Sequence, residues 1–138
     1  MWKDFRKEEF NVSKLSESKN FNSNEIFDMC KDLYSRRDSG LDCSEMVEDL
    51  MDKFQGSALL ILSPNYKSLT PINFVDCNDN VIPYVYHYAY LSEEGKIFDP
   101  MLGYFNIGYS SYVDRVLEHS STKPIIEKVC GPYLKTFI

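Results

Sequence analysis

Three side chains in this sequence have the types and the order for covalent chemistry: Cys43 in SGLDCSEMVEDLMDKF, His87 in YVYHYAYL and Asp99 in GKIFDP. A thiolate can attack a carbonyl carbon. An imidazole can take the thiol proton and return it to a leaving amine, while a carboxylate orients that imidazole and stabilises its charged form. Whether the three can act together depends on the elements that carry them.

His87 and Asp99 fall within Tyr84–Gly103, which reads as one β-hairpin. Side chains alternate along a strand, so Tyr84, Tyr86, Tyr88 and Tyr90 take one face, and Val85, His87, Ala89 and Leu91 the other. Aromatic and β-branched residues suit such a pleated surface. Ser92-Glu93-Glu94-Gly95 fits a three-residue loop, Glu93–Gly95, with Gly95 in the left-handed conformation. That loop pairs Ser92 with Lys96, Leu91 with Ile97 and Ala89 with Asp99. His87 and Asp99 then share a face as diagonal neighbours within hydrogen-bonding reach. One residue more or fewer in the loop would set them on opposite faces. Pro100 holds Asp99 extended, at the strand end.

Cys43 precedes an amphipathic pattern. Met46, Val47, Leu50, Met51 and Phe54 recur at helical spacing, with Glu45, Glu48, Asp49, Asp52 and Lys53 opposite, which predicts a helix over Ser44–Phe54. Gly40 and Asp42 break the chain before it, so Cys43 lies at or beside the helix N-terminus. The partial positive charge and unpaired amides there favour a thiolate. The backbone N–H groups of Cys43 and Ser44 are candidate oxyanion donors. No glutamine precedes the cysteine; Gln55 follows the helix, at its other end. Cysteine at a helix start, then histidine, then aspartate on adjacent strands is the chain order of a papain-like cysteine hydrolase.

The 138 residues suffice for one domain with a real core. The net charge of −6 and the lack of a basic stripe argue against nucleic-acid binding. No apolar run reaches membrane-spanning length, and MWKDFRKEEF has no apolar signal core. Cys30, Cys43, Cys77 and Cys130 show no metal-ligand spacing, so neither a metal nor another cofactor is expected. The sequence leaves a disulfide among Cys30, Cys77 and Cys130 open.

Residues 1–23 read as an irregular polar lead-in, and 24–138 as a single domain. Asn24 is the expected cap of a helix to Tyr34, with Glu25, Ile26, Phe27, Cys30, Leu33 and Tyr34 on one stripe and Arg36 and Arg37 at its C-terminus. Cys30 on that stripe reads as a buried small hydrophobe. Ala58–Leu62 reads as a buried strand and Ile72–Val75 as a further one, within an otherwise loop-like stretch to Asn80. Tyr104, Phe105 and Ile107 read as a loop between Gly103 and Gly108. Ser110-Ser111 is the expected cap of a helix from Tyr112 to His119, with His119 on the surface. Pro124–Val129 reads as a last strand.

DCSEMVEDLMDKF followed by YHYAYLSEEGKIFDPMLG resembles the papain-fold toxin domains at the C-termini of bacterial polymorphic and contact-dependent toxins. The shared pattern is a helix-opening cysteine with an acidic residue two positions on, a histidine strand, a short turn and a strand ending in aspartate. Here those positions are Cys43, Glu45, His87 and Asp99, and the resemblance covers about Gly40 to Tyr112. It implies an α+β, papain-like domain, with N-terminal helices packed on a small antiparallel sheet. It further implies a cysteine-dependent amide hydrolase: a peptidase, a protein-glutamine deamidase or a transamidase. The substrate would be a protein, in the cytoplasm of a target cell reached by secretion or delivery, and a small immunity protein would cover the cleft. Each residue also has a structural reading: a helix-capping thiol, a sheet histidine, a turn aspartate. The alternative is a non-catalytic immunity or adaptor module that binds a partner through an acidic sheet bearing Tyr84, Tyr86, Tyr88 and Tyr90.

Overall fold

Two amphipathic helices open the described part of the chain, which in this computed structural model comprises residues 23–131 and 133–137. The polar lead-in read over 1–23 lies outside it, apart from Ser23. Helix α1 spans Ser23–Ser35 and buries Ile26, Cys30 and Leu33, one apolar stripe at helical spacing. Asn24 therefore lies inside the helix. Phe27 and Tyr34 meet Phe105 edge-on, at 5.4 and 6.0 Å between ring centroids. The Arg37 guanidinium donates to the Tyr34 carbonyl at 2.8 Å, a cation on a carbonyl of the last turn. Helix α2 spans Cys43–Phe54 and buries the expected Met46, Val47, Leu50 and Phe54, but its first residue is Cys43 and not Ser44.

The strands are β1 (Ser57–Leu62), β2 (Ile72–Val75), β3 (Val81–Tyr84), β4 (Tyr86–Leu91), β5 (Ile97–Asp99), β6 (Tyr104–Ile107) and β7 (Ile125–Val129); helix α3 is Tyr109–Val116. A five-stranded antiparallel sheet has the order β6-β5-β4-β1-β7, with β2 and β3 forming a separate hairpin. The architecture is α+β in three layers. Ala58, Leu60, Leu62, Tyr88, Tyr90 and Phe98 face α1 and α2. Leu59, Ile61, Ala89, Leu91 and Ile97 face α3 and the β2–β3 hairpin. Covered on both faces, β1 reads as an unbroken apolar run from Ala58 to Leu62 after its opening serine.

The β4–β5 hairpin has the derived register. Leu91 opposes Ile97, the Ser92 N–H donates to the Lys96 carbonyl at 2.8 Å, and Gly95 has φ +83°. Its first strand is not continuous from Tyr84, however. Residues 81–84 pair with β2, and the chain crosses to the larger sheet at Val85, whose carbonyl accepts from the Ser63 N–H at 2.8 Å. Tyr84 thus faces the α3 layer, apart from the other three tyrosines. Tyr88 and Tyr90 are buried under α2, so two of the four tyrosines belong to the core, while Tyr84 and Tyr86 are half-buried.

Further corrections concern the last third. Tyr104–Ile107 is the edge strand β6, not a loop, because it pairs with β5. Helix α3 starts at Tyr109 with Gly108 as N-cap, so Ser110 and Ser111 lie within it and the exposed His119 lies beyond its end. Strand β7 occupies the expected final position beside β1. All four cysteines are free thiols. No described helix is long and apolar enough to cross a membrane.

The turn after β5 is tight. The Gly103 N–H donates to the Asp99 carbonyl at 2.8 Å with φ +85°, and a Cβ at Gly103 would collide with Cys77 Sγ and the Tyr34 ring. An L side chain in that conformation costs about 1–2 kcal/mol before any clash. Gly103→Ala is expected to lose at least that much, read as a lower urea midpoint at unchanged slope.

Candidate active site

Cys43 is held by its neighbours' hydrogen bonds. Asp42, in extended conformation, caps α2: its Oδ1 accepts the Glu45 N–H at 2.9 Å and the Ser44 hydroxyl at 2.7 Å. Glu45 Oε1 accepts the Asp42 N–H at 3.0 Å in return. This is a reciprocal capping box, so the acidic residue two positions after the cysteine fixes the helix start. The cap satisfies Glu45 and leaves the N–H groups of Cys43 and Ser44 without an acceptor among the described residues. The Cys43 side chain packs in the apolar layer under the helices, and the residue is 8% exposed.

His87 is the second residue of β4, opposite Ile61 of β1. The β4–β5 pairing covers Tyr90 and Leu91 only, so β5 leaves His87 without a cross-strand partner on that side. His87 Nε2 and Asp99 Oδ2 are 2.7 Å apart, and both residues are 0% exposed. A carboxylate only accepts, so Nε2 donates and Nδ1 is the nitrogen left for proton exchange. The ring is stacked on Tyr84 (5.4 Å, 11°) and tilted against Phe74 at 5.3 Å.

Burial by itself disfavours the charged imidazole. The charge and hydrogen bond of Asp99, followed by the influence of the nearby Cys43, more than offset it and push His87 up to about 10. Cys43 thus stands near enough to stabilise an imidazolium, yet no hydrogen bond closes on Nδ1. The thiol is beside the ring and not locked to it.

Asp99 is satisfied on both oxygens. Oδ2 also accepts the Tyr112 hydroxyl at 2.6 Å, and Oδ1 accepts the Leu102 N–H at 3.0 Å. Burial, then the Asp99 charge, holds the Tyr112 phenol well above its usual pKa, so it remains a donor. Sequence reasoning missed this residue. The signal was present, since Tyr109, Tyr112, Val113 and Val116 form a helical stripe and a buried tyrosine needs an acceptor.

A cleft of about 520 Å³ opens onto the thiol, lined by Asp42, Cys43, Pro71, Pro83, Tyr84, Val85, Tyr86 and Met101. Its wall from β3 was not anticipated, because the sequence placed Tyr84 at the start of the histidine strand and gave residues 81–83 no strand of their own. Gln55 follows α2 at its far end. Cys30 is fully buried and pushed up to about 12 by burial and then by Asp99, which suits a packing role. Among the described residues, no three His, Cys, Asp or Glu side chains group as a metal site. Compared with protein-family models, curated proteins and solved structures, the chain matches none.

Two outcomes follow from this geometry. His87 is raised above its ordinary value of 6.5, so folding takes up a proton between that pH and about 10. The stability it contributes is complete below pH 6.5 and is lost as pH rises through the folded value. The stability advantage of the wild type over Asp99→Asn should therefore shrink steadily across that interval in urea titrations. Tyr112→Phe removes one donor from a buried carboxylate and should cost about 1.5–3 kcal/mol by the same measurement.

Proposed function

We propose that the protein is a papain-like cysteine hydrolase acting on an amide of a protein substrate. The observation that carries this reading is the buried 2.7 Å bond between His87 and Asp99, with Nδ1 left unpartnered near a thiol that opens α2. Cys43 attacks the carbonyl carbon as thiolate, and His87 holds the proton and delivers it to the leaving amine. Asp99 keeps the ring oriented and stabilises its charged form. The backbone amides of Cys43 and Ser44 are the donors for the oxyanion, in place of a side-chain donor upstream. Water then attacks the thioester and restores the thiol.

The resemblance to papain-fold toxin domains supports a role as a toxin or effector domain, delivered to the cytoplasm of a target cell and restrained by an immunity protein over the cleft. The geometry supports the chemistry. Expression of the wild type in a bacterial host should slow growth, and Cys43→Ala should restore it. Intact-protein mass spectrometry should then show a host protein carrying an amide-to-acid change, or cut, only with the wild type. Equal toxicity of Cys43→Ala would sink the proposal.

A further inference from the structure

Residues 133–137 carry no helix or strand, yet their contacts converge on the two elements that bear the thiol and the imidazole. The Leu134 N–H donates to Glu48 Oε2 of α2 at 2.6 Å, and the Lys135 carbonyl accepts the Tyr88 hydroxyl of β4 at 2.7 Å. Leu134 itself is buried in the layer under the helices. Phe137 then meets the Tyr86 ring at 5.4 Å and, edge-on, the Tyr66 ring at 5.6 Å. The segment thus grips Tyr86 and Tyr88, the two residues that flank His87, and joins them to the helix that Cys43 opens. Tyr86 is also a wall of the cleft at Cys43, and Phe137 stands behind it without lining the cleft.

Tyr86 depends on that support. It is the first residue of β4, half-buried, and β5 pairs with β4 only at Tyr90 and Leu91. Among the described residues, the other ring beside it is Tyr88 at 5.9 Å, on the same strand. Burial, then the charges of Cys43 and Asp42, hold the Tyr86 phenol above its ordinary value, which sets it close to the thiol. Without the Phe137 ring, Tyr86 regains rotamer freedom that packing now removes. We infer that Phe137 is a positioning residue for the proposed reaction: through Tyr86 it fixes the wall against which the acyl part of the substrate lies when Cys43 attacks. The inference rests on the hydrolase reading above. Phe137 touches neither the sulfur nor the imidazole, so its effect falls on which acyl groups the cleft accepts.

The test alkylates the full chain with iodoacetamide and with N-benzyliodoacetamide, and maps each cysteine by peptide mass spectrometry. Cys77 and Cys130 are exposed and serve as internal references. The quantity read is the rate with the benzyl reagent divided by the rate with the plain one. In the wild type this ratio should be higher at Cys43 than at either reference, because the benzyl ring lies against the aromatic and proline walls. Phe137→Ala should lower it at Cys43 by about threefold to tenfold, the scale of one aromatic contact, and Phe137→Tyr should restore it. A purely structural role would lower the urea midpoint and leave the ratio of the folded chain in place. Where Phe137→Ala does not fold, Phe137→Leu takes its place, with a smaller fall expected. A ratio at Cys43 no higher than at the references, or one that the substitution leaves unmoved, would overturn the inference and leave the hydrolase reading standing. A wild-type Cys43 slower towards iodoacetamide than both references would remove the hydrolase reading, and this inference with it.

Discussion

The buried bond between His87 and Asp99 is the constraint on which the site depends. Two ionisable groups with no exposed surface are tolerable only when paired and hydrogen-bonded, because removing either from water is costly. The chain meets that cost locally: the Leu102 amide takes one carboxylate oxygen, the Tyr112 hydroxyl shares the other, and aromatic rings cover the imidazole. Each of these partners belongs to a different element, so the turn after β5, the helix α3 and the β2–β3 hairpin are all organised around one proton-binding pair.

The thiol is placed by different means. Hydrogen bonds within a few residues of sequence, all within Asp42–Glu45, fix where the helix begins. The apolar stripe of α2 against Tyr88 and Tyr90 then fixes how it lies on the sheet. A helix start presents amides outward wherever it occurs; here the cap occupies the third amide and spares the first two, beside the sulfur.

Much of this was legible because it is local. The loop Glu93–Gly95 sets register by its length, and register sets faces, so the shared side of His87 and Asp99 followed from counting residues. The Cys43 helix followed from one apolar stripe. What was missed is non-local. Nothing in PYVYHY says that the chain leaves one sheet and enters another at Val85; the partner of Val81–Tyr84 is β2, not β5. Tyr104–Ile107 is too short and too close to glycines to signal a strand without its neighbour β5. Tyr88 and Tyr90 looked like surface because alternation shows two faces and not which of them a helix will cover. Tyr112 found its acceptor thirteen residues back, a pairing that composition does not encode.

The two halves of the site stand at different distances along the chain. Imidazole and carboxylate are separated by 12 residues in one hairpin, whereas thiol and imidazole are separated by 87 − 43 = 44. Closing the longer span costs about 1 kcal/mol more chain entropy than closing the shorter. The first pairing is a property of a hairpin; the second is a property of the whole domain, since it requires α2 docked on the sheet. Loosening of the tertiary structure therefore parts the sulfur from the ring before it parts the ring from its carboxylate, and completeness of the site tracks completeness of the fold.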